Sequence, residues 1–281
     1  MEPLKPSDYS DLIRTALAED TPGGDVTTQH LFDAEDRGSA TLLAKAPGVI
    51  AGLPVFTAVF ATIDPDFRVE PRAADGDRVT PGQVIARLTG RIRTLLTGER
   101  VALNILQRCS GIATAAAHYV DAVRGLPVTI LDTRKTAPGL RSLDKYAVRT
   151  GGARNHRMTL SDLAMIKDNH LRLAGGITAA VQRLRTRCPG LRIEVETETL
   201  AEVREALAAG ADIIMLDNMP LDRMRDAVAL IAGRCPVEAS GNVTLDTVRA
   251  IAETGVTHIS VGALTHSVQA LDISLKVDRP D

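Results

Sequence analysis

Residues 193–218, IEVETETLAEVREALAAGADIIMLDN, decide the fold class. Two short β-rich apolar runs, IEVE and IIMLD, flank LAEVREALAAG, whose apolar residues fall on one side of a helix. Strand, helix and strand in so short a span make a parallel crossover unit. Gly210 stands just past the helix, where a left-handed cap favours glycine, and Gly233 and Gly255 repeat the device after LDRMRDAVALIAG and LDTVRAIAETG. Outward from this unit, the runs TILDTRK (129–135), AMIKDNH (164–170), VEASGN (237–242) and ISVGAL (259–264) also stop on charged or very small residues. About six units can be counted, enough for a barrel. The carboxyl ends of parallel barrel strands converge on one mouth, where such scaffolds carry their chemistry, so the pattern predicts an enzyme. An open dinucleotide fold is the rival, but no GxGxxG opens a strand-to-helix turn.

Composition narrows the class. The chain has 281 residues, 44% hydrophobic and 24% charged, which suits a globular protein with room for a barrel and a smaller domain. A net charge of −2, 2% aromatics and no Trp give no reason to expect nucleic acid or an anionic membrane as partner. Cys109, Cys188 and Cys235 are odd in number and widely separated, without metal-binding spacing, which fits a reducing cytoplasm. The start, MEPLKPSDYSDL, lacks a basic segment followed by an apolar core, so no secretory signal is expected. The apolar stretch 49–63 is broken by Gly52 and Pro54, is shorter than a membrane span, and reads as buried structure.

The first 111 residues read as a small α+β domain, with turn-rich TPGGD, the strand SATLLAKA and the Gly-punctuated AADGDRVTPGQVIARLTG. Similar strands occur in lipoyl carriers, but a carrier needs an exposed Lys and none stands between Lys45 and Lys135. Thr97 is the expected N-cap of a helix bearing Val101, Ala102, Ile105 and Leu106 on its apolar side, and Gly111 is expected to interrupt or bend it.

Candidate cations stand in three blocks: Arg134 and Lys135 in DTRKT, His156 and Arg157 in NHR, and Lys167 in IKDNH. Surface pairing with Asp132 and Asp168 would explain any one of them. Together they repel unless an anion neutralises them, and Arg forks suit carboxylate or phosphate, so the expected ligand carries several negative charges. Glu196 and Asp217 end successive strands and are expected at the same mouth, where they could hold ribose hydroxyls or magnesium, or stabilise a positive sugar carbon. Glu194 and Glu198 flank Glu196 and are expected toward solvent or helices. Even so, a two-residue period puts Glu194 and Glu196 on one side, so spacing does not choose between them. Ser240, Gly241, Gly262 and His266, in the last two strand ends, are candidates for a phosphate cradle. No Ser-His-Asp order, HExxH helix, Walker loop or kinase signature appears.

Read together, GDVTT, ERVALNILQRCSGIAT, DTRKTAPGLRSLDKYAV, GGARNHRMTLSDLAMIKDNH, EVET, ADIIMLDN, EASGN and ISVGALTHS closely resemble the quinolinate phosphoribosyltransferase family, the decarboxylating enzymes of NAD biosynthesis. The resemblance implies a mixed α/β amino-terminal domain (1–115), a partly open α/β barrel of parallel strands (116–268) and a tail (269–281) returning to the first domain. It also implies a cytoplasmic homodimer or higher homo-oligomer with shared active sites. Arg134, His156, Arg157 and Lys167 would bind quinolinate, with Arg100 supplied across the interface. Lys135 would face phosphoribosyl pyrophosphate or departing pyrophosphate. Glu196 and Asp217 would lie near ribose and Mg2+, and Ser240, Gly241, Gly262 and His266 near the 5-phosphate. Asn242, where some members have a second glycine, and Thr159, where bacterial members often have glycine, depart from the pattern and leave local loop geometry open. A molybdenum-transport-associated relative is one alternative, disfavoured by intact NHR and IKDNH. A non-catalytic anion-binding barrel is another, disfavoured by acids that would only repel its ligand.

Overall fold

The computed structural model describes residues 3–278, and the chain divides into two compact units. The first comprises residues 1–117, 136–152 and 264–281. After a short 3-10 turn, helices α1 (Ser10–Asp20) and α2 (Val26–Leu31) lead into β1 (Arg37–Ala44) and the two-residue β2 (Gly48–Val49). Helix α3 (Leu53–Ile63) buries Leu53, Val55, Phe56, Val59 and Phe60, which is why the apolar stretch noted in the sequence is internal. Asp75 accepts the first main-chain N–H groups of this helix, from Gly52 and Leu53, at 2.8 and 3.0 Å. Strands β3 (Arg68–Pro71), β4 (Arg78–Val79) and β5 (Val84–Arg91) follow, with β5 pairing antiparallel to β1 and β3.

Helix α4 (Ile92–Ala122) corrects two expectations. It starts directly from β5, so Thr97 lies inside it, and the Thr97 hydroxyl donates to Asp25 at 3.2 Å instead of capping. Nor does Gly111 interrupt the helix. A Cβ there would stand 2.1 Å from the Gln269 carbonyl oxygen, so glycine permits a close backbone approach. Helix α5 (Arg141–Thr150) buries Asp144, whose carboxylate receives two bonds from the Arg108 guanidinium at 3.0 and 2.9 Å.

The second unit, residues 118–135 and 153–263, holds β6 (Thr129–Leu131), β7 (Ala164–Ile166), β8 (Ile193–Thr197), β9 (Ile213–Asp217), β10 (Val237–Ser240) and β11 (His258–Ser260). All pairings are parallel, in the order β6-β11-β10-β9-β8-β7. The crossovers include α6 (Asp168–Ala174), α7 (Ile177–Arg187), α8 (Leu200–Ala209), α9 (Leu221–Ile231) and α10 (Val248–Ala252). The units counted in the sequence are therefore these strands, in a sheet whose end strands β6 and β7 do not pair with each other among the described residues. Thr199 and Glu202 form a reciprocal capping box at the start of α8, and Gly210 ends it at φ 82°. Gly233 and Gly255 also have positive φ, a few residues past α9 and α10.

Pleating and register position the site. Ile193 and Val195 pack outward while Glu194 and Glu196 face inward. Glu196 is level with Met215 and Met215 with Glu238, and one step further along Asp217 is level with Ser240. Two rows of functional side chains thus stack toward the carboxyl end of the sheet. Back in the first unit, after α11 (Ala263–His266), strand β12 (Ile273–Val277) pairs antiparallel with β1. Positions 279–281 of the expected tail lie outside the described residues. No described helix is long and apolar enough to cross a membrane.

Candidate active site

Inside the second unit, a cavity of about 590 Å³ opens at the carboxyl ends of the strands. It gathers Arg134 and Lys135 after β6, His156 and Arg157 ahead of β7, Lys167 after β7, Glu196, Asp217, Ser240 and Gly241. Nine residues singled out in the sequence therefore share one space. Three do not line it. Arg100 is exposed on α4 beside a 120 Å³ recess with Glu19 and Asp20; Gly262 lies in the turn between β11 and α11; His266 ends α11 with Nδ1 2.7 Å from the Ser267 hydroxyl.

The cations differ in how they are held. Lys167 Nζ donates to Glu196 Oε2 at 2.6 Å, with the lysine side chain 45% exposed and the glutamate nearly covered. Arg157 donates through Nη1 to the Leu163 carbonyl at 2.8 Å, and burial, then the neighbouring Arg134 charge, weakens its hold on its proton. Arg134 Nε is buried with no hydrogen-bond partner among the described residues, an orphan donor that an anion would satisfy. Asp217 Oδ2 accepts from Asn218 Nδ2 at 3.0 Å, and Asn218 Oδ1 accepts from Asn242 Nδ2 at 2.9 Å. Asn218 and Asn242 both sit in the left-handed region, at φ 51° and 49°, a conformation that short amide side chains tolerate. At position 242 the amide thus replaces a glycine's freedom with a bond to the neighbouring strand end. Thr159 is likewise accommodated, because Asp162 accepts its main-chain N–H at 2.9 Å and its hydroxyl at 2.5 Å.

Under the mouth, Glu194 is fully buried and faces His156, not solvent or helices as expected from its position in the sequence. His156 Nε2 stands 3.1 Å from Glu194 Oε2 and 3.4 Å from Glu238 Oε2. Burial disfavours the charged ring, yet the two acids outweigh it and push His156 up to about 9. The main-chain N–H of Arg157 works the other way: it donates to Nδ1 at 2.7 Å and would meet a second ring proton head-on. Burial pushes the Glu194 carboxyl up against the pull of His156, and Glu238 pushes it further. Glu238, Asn218, Met165 and Met215 were not read from the sequence as site residues. Alignment of VEAS with IEVE through the register of β8, β9 and β10 is the signal that finds Glu238.

Two groups have metal-donor character. Glu196 and Asp217 offer only carboxylate oxygens at a half-exposed mouth, which fits a hard cation such as Mg2+. His156, Glu194 and Glu238 bring three ligand atoms within 4.8 Å of one another, but Nδ1 accepts a hydrogen bond, so Nε2 carries the ring hydrogen and has no lone pair to give.

Comparison with known proteins identifies the family. Residues 25–110 match the N-terminal domain model, and residues 112–276 the C-terminal domain model, of quinolinate phosphoribosyl transferase. The chain belongs to the quinolinate phosphoribosyl transferase family. A Nicotiana tabacum protein named quinolinate phosphoribosyltransferase [decarboxylating] 1b is 46% identical over 291 aligned residues, covering 96% of this chain and 83% of its own. The crystal structure of NadC from Streptococcus pyogenes superposes with a TM-score of 0.96 at 43% identity, over all of both chains. The nicotinate-nucleotide pyrophosphorylase of Francisella tularensis gives 0.95 at 38%, over 98% of each chain. Both likenesses span the antiparallel and the parallel sheet, as expected of family members.

Proposed function

We propose that this chain transfers the phosphoribosyl group of phosphoribosyl pyrophosphate to quinolinate with loss of CO2, giving nicotinate mononucleotide and pyrophosphate. The observation that carries this reading is the gathering of Arg134, Lys135, Arg157 and Lys167 around one cavity that Glu196 and Asp217 also line. A dicarboxylate adds negative charge among these cations, and the buried Arg134 Nε gains an acceptor. Arg134, His156, Arg157 and Lys167 hold its two carboxylates so that the ring nitrogen faces the anomeric carbon, which is a contribution of orientation. Lys167 releases Glu196 as it turns to the incoming anion. Glu196 or Asp217 then faces the sugar carbon as positive charge develops there, while Lys135 meets the departing pyrophosphate. Bond formation makes the ring nitrogen cationic, that charge stabilises the electron pair left on the adjacent ring carbon as its carboxylate leaves as CO2, and a proton from water then replaces the lost group. Ser240 and Gly241, with Gly262 and His266, receive the 5-phosphate. Glu196 and Asp217, with substrate oxygens, would hold Mg2+, which would supply charge neutralisation at the pyrophosphate. Arg100 of a second copy completes the quinolinate site in a cytoplasmic homodimer.

The test is product formation from the protein with magnesium, phosphoribosyl pyrophosphate and quinolinate. Nicotinate mononucleotide is expected, and binding of both substrates without turnover would favour a sensor. Full turnover by a Lys135→Ala variant would refute the role given to Lys135.

A further inference from the structure

Below the mouth lie three acids that the proposed reaction does not use. Asp132, just after β6, and Glu194 on β8 are fully buried, and Glu238 on β10 is 2% exposed. These are alternate strands of the sheet, whose inward side chains meet near the axis of such folds. All three acids address one short segment, 155–157. Asp132 Oδ1 accepts the His156 main-chain N–H at 2.8 Å, and its Oδ2 accepts Asn155 Nδ2 at 2.6 Å. Glu194 and Glu238 flank His156 Nε2, as described above. At the other side of the ring, Nδ1 accepts the N–H of Arg157, the residue whose guanidinium enters the cavity. Both ring nitrogens are thereby engaged within the protein.

We infer that Glu194 and Glu238 are positioning residues that, through the His156 ring, set the aim of Arg157 at the dicarboxylate. The inference rests on the functional reading given above. Its physical basis is that Arg157 stands beside Arg134 and is repelled by it, so the guanidinium, which also donates to the Leu163 carbonyl, is held more firmly in the cavity when its backbone is fixed and negative charge lies beneath. The acids supply both. They hold the ring by Nε2, the ring holds the Arg157 amide by Nδ1, and the Glu194 charge favours the Arg157 guanidinium in its charged form. Neither acid needs to touch substrate. Apart from the contact of Glu194 Oε2 with His156 Nε2, the Glu194 carboxylate and Glu238 Oε1 receive no hydrogen bond among the described residues, so the cluster keeps its negative field directed at the ring and the arginine above it.

The experiment compares Glu194→Gln and Glu238→Gln, which keep side-chain size and remove charge, with the parent in steady-state kinetics and in quinolinate binding by calorimetry. Each is expected to raise the KM and Kd for quinolinate about tenfold or more, about 1.4 kcal/mol per tenfold, and to leave the KM for phosphoribosyl pyrophosphate within about twofold. If a Gln variant does not fold, the corresponding Asp variant, shorter by one methylene, takes its place with a smaller loss of the same selectivity. Equal loss toward both substrates, or unchanged quinolinate affinity in folded variants, would overturn the positioning role. So would one equivalent of tightly held divalent metal in the purified parent that the Gln variants lose. A parent that neither binds nor converts quinolinate would refute the functional reading and this inference together, whereas a competent parent beside indifferent variants would refute this inference alone.

Discussion

Gly241→Ala tests how the loops after β9 and β10 interlock. Gly241 has φ 97°, and a Cβ there would fall 2.2 Å from Asn218 Oδ1, 2.5 Å from its Cγ and 2.8 Å from its Nδ2. A left-handed backbone costs an alanine about 1–2 kcal/mol. The clash also displaces the Asn218 amide, which bonds Asp217 and Asn242. Both bonds are exposed, so water replaces them in part and each is worth about 0.5 kcal/mol, the lower end for such bonds. The expected loss is about 2–3 kcal/mol in total. Gly190→Ala is the internal control, since Gly190 has φ 85° and nothing within 4 Å, so it carries the backbone cost alone. Urea denaturation of both variants should show Gly241→Ala weaker by about 1 kcal/mol, with the KM for phosphoribosyl pyrophosphate raised because Asp217 loses its amide partner. In an Asn218→Gly background the clash is gone, and the cost of Gly241→Ala should fall to that of Gly190→Ala. Equal losses at 241 and 190, or strict additivity with Asn218→Gly, would refute the interlock.

Gly111→Ala should destabilise by about 1–3 kcal/mol, as overpacked sites do, despite alanine's better helix propensity, because the obstructing Gln269 oxygen belongs to backbone; a higher denaturation midpoint would contradict this. Asp144→Asn leaves the Arg108 fork half-bonded against a buried neighbour and should cost about 3–5 kcal/mol, read by the same assay. Burial pushes the Cys109 thiol up to about 12, so at pH 8 it holds its proton, and a thiol reagent should label exposed Cys188 in the native protein while Cys109 reacts only after unfolding.

Much of the scaffold was legible because its signals are local. Alternating β-rich runs and amphipathic helices, closed by Gly210, Gly233 and Gly255, specify parallel crossover units from short-range patterning, and the charged strand ends mark the mouth. Local reading failed at α4, where Thr97 resembles a cap but gives its hydroxyl to Asp25, some seventy positions away. It failed again at Gly111, whose reason lies in a backbone segment far along the chain.

By itself the sequence determined that cations from DTRK and IKDNH and the acids of EVE and MLD stand at strand ends, since strand direction and length follow from composition and periodicity, and it offered NHR as a further cationic block. Only the tertiary structure decided which of them share a row and which partners occupy them. The two-residue period fixes that Glu194 and Glu196 face one side, but the register between β8, β9 and β10 sets Glu196 level with Glu238 and puts Glu194 beneath His156. Register is a relation between strands some twenty residues apart, set by pairing and twist, and no single run of residues contains it.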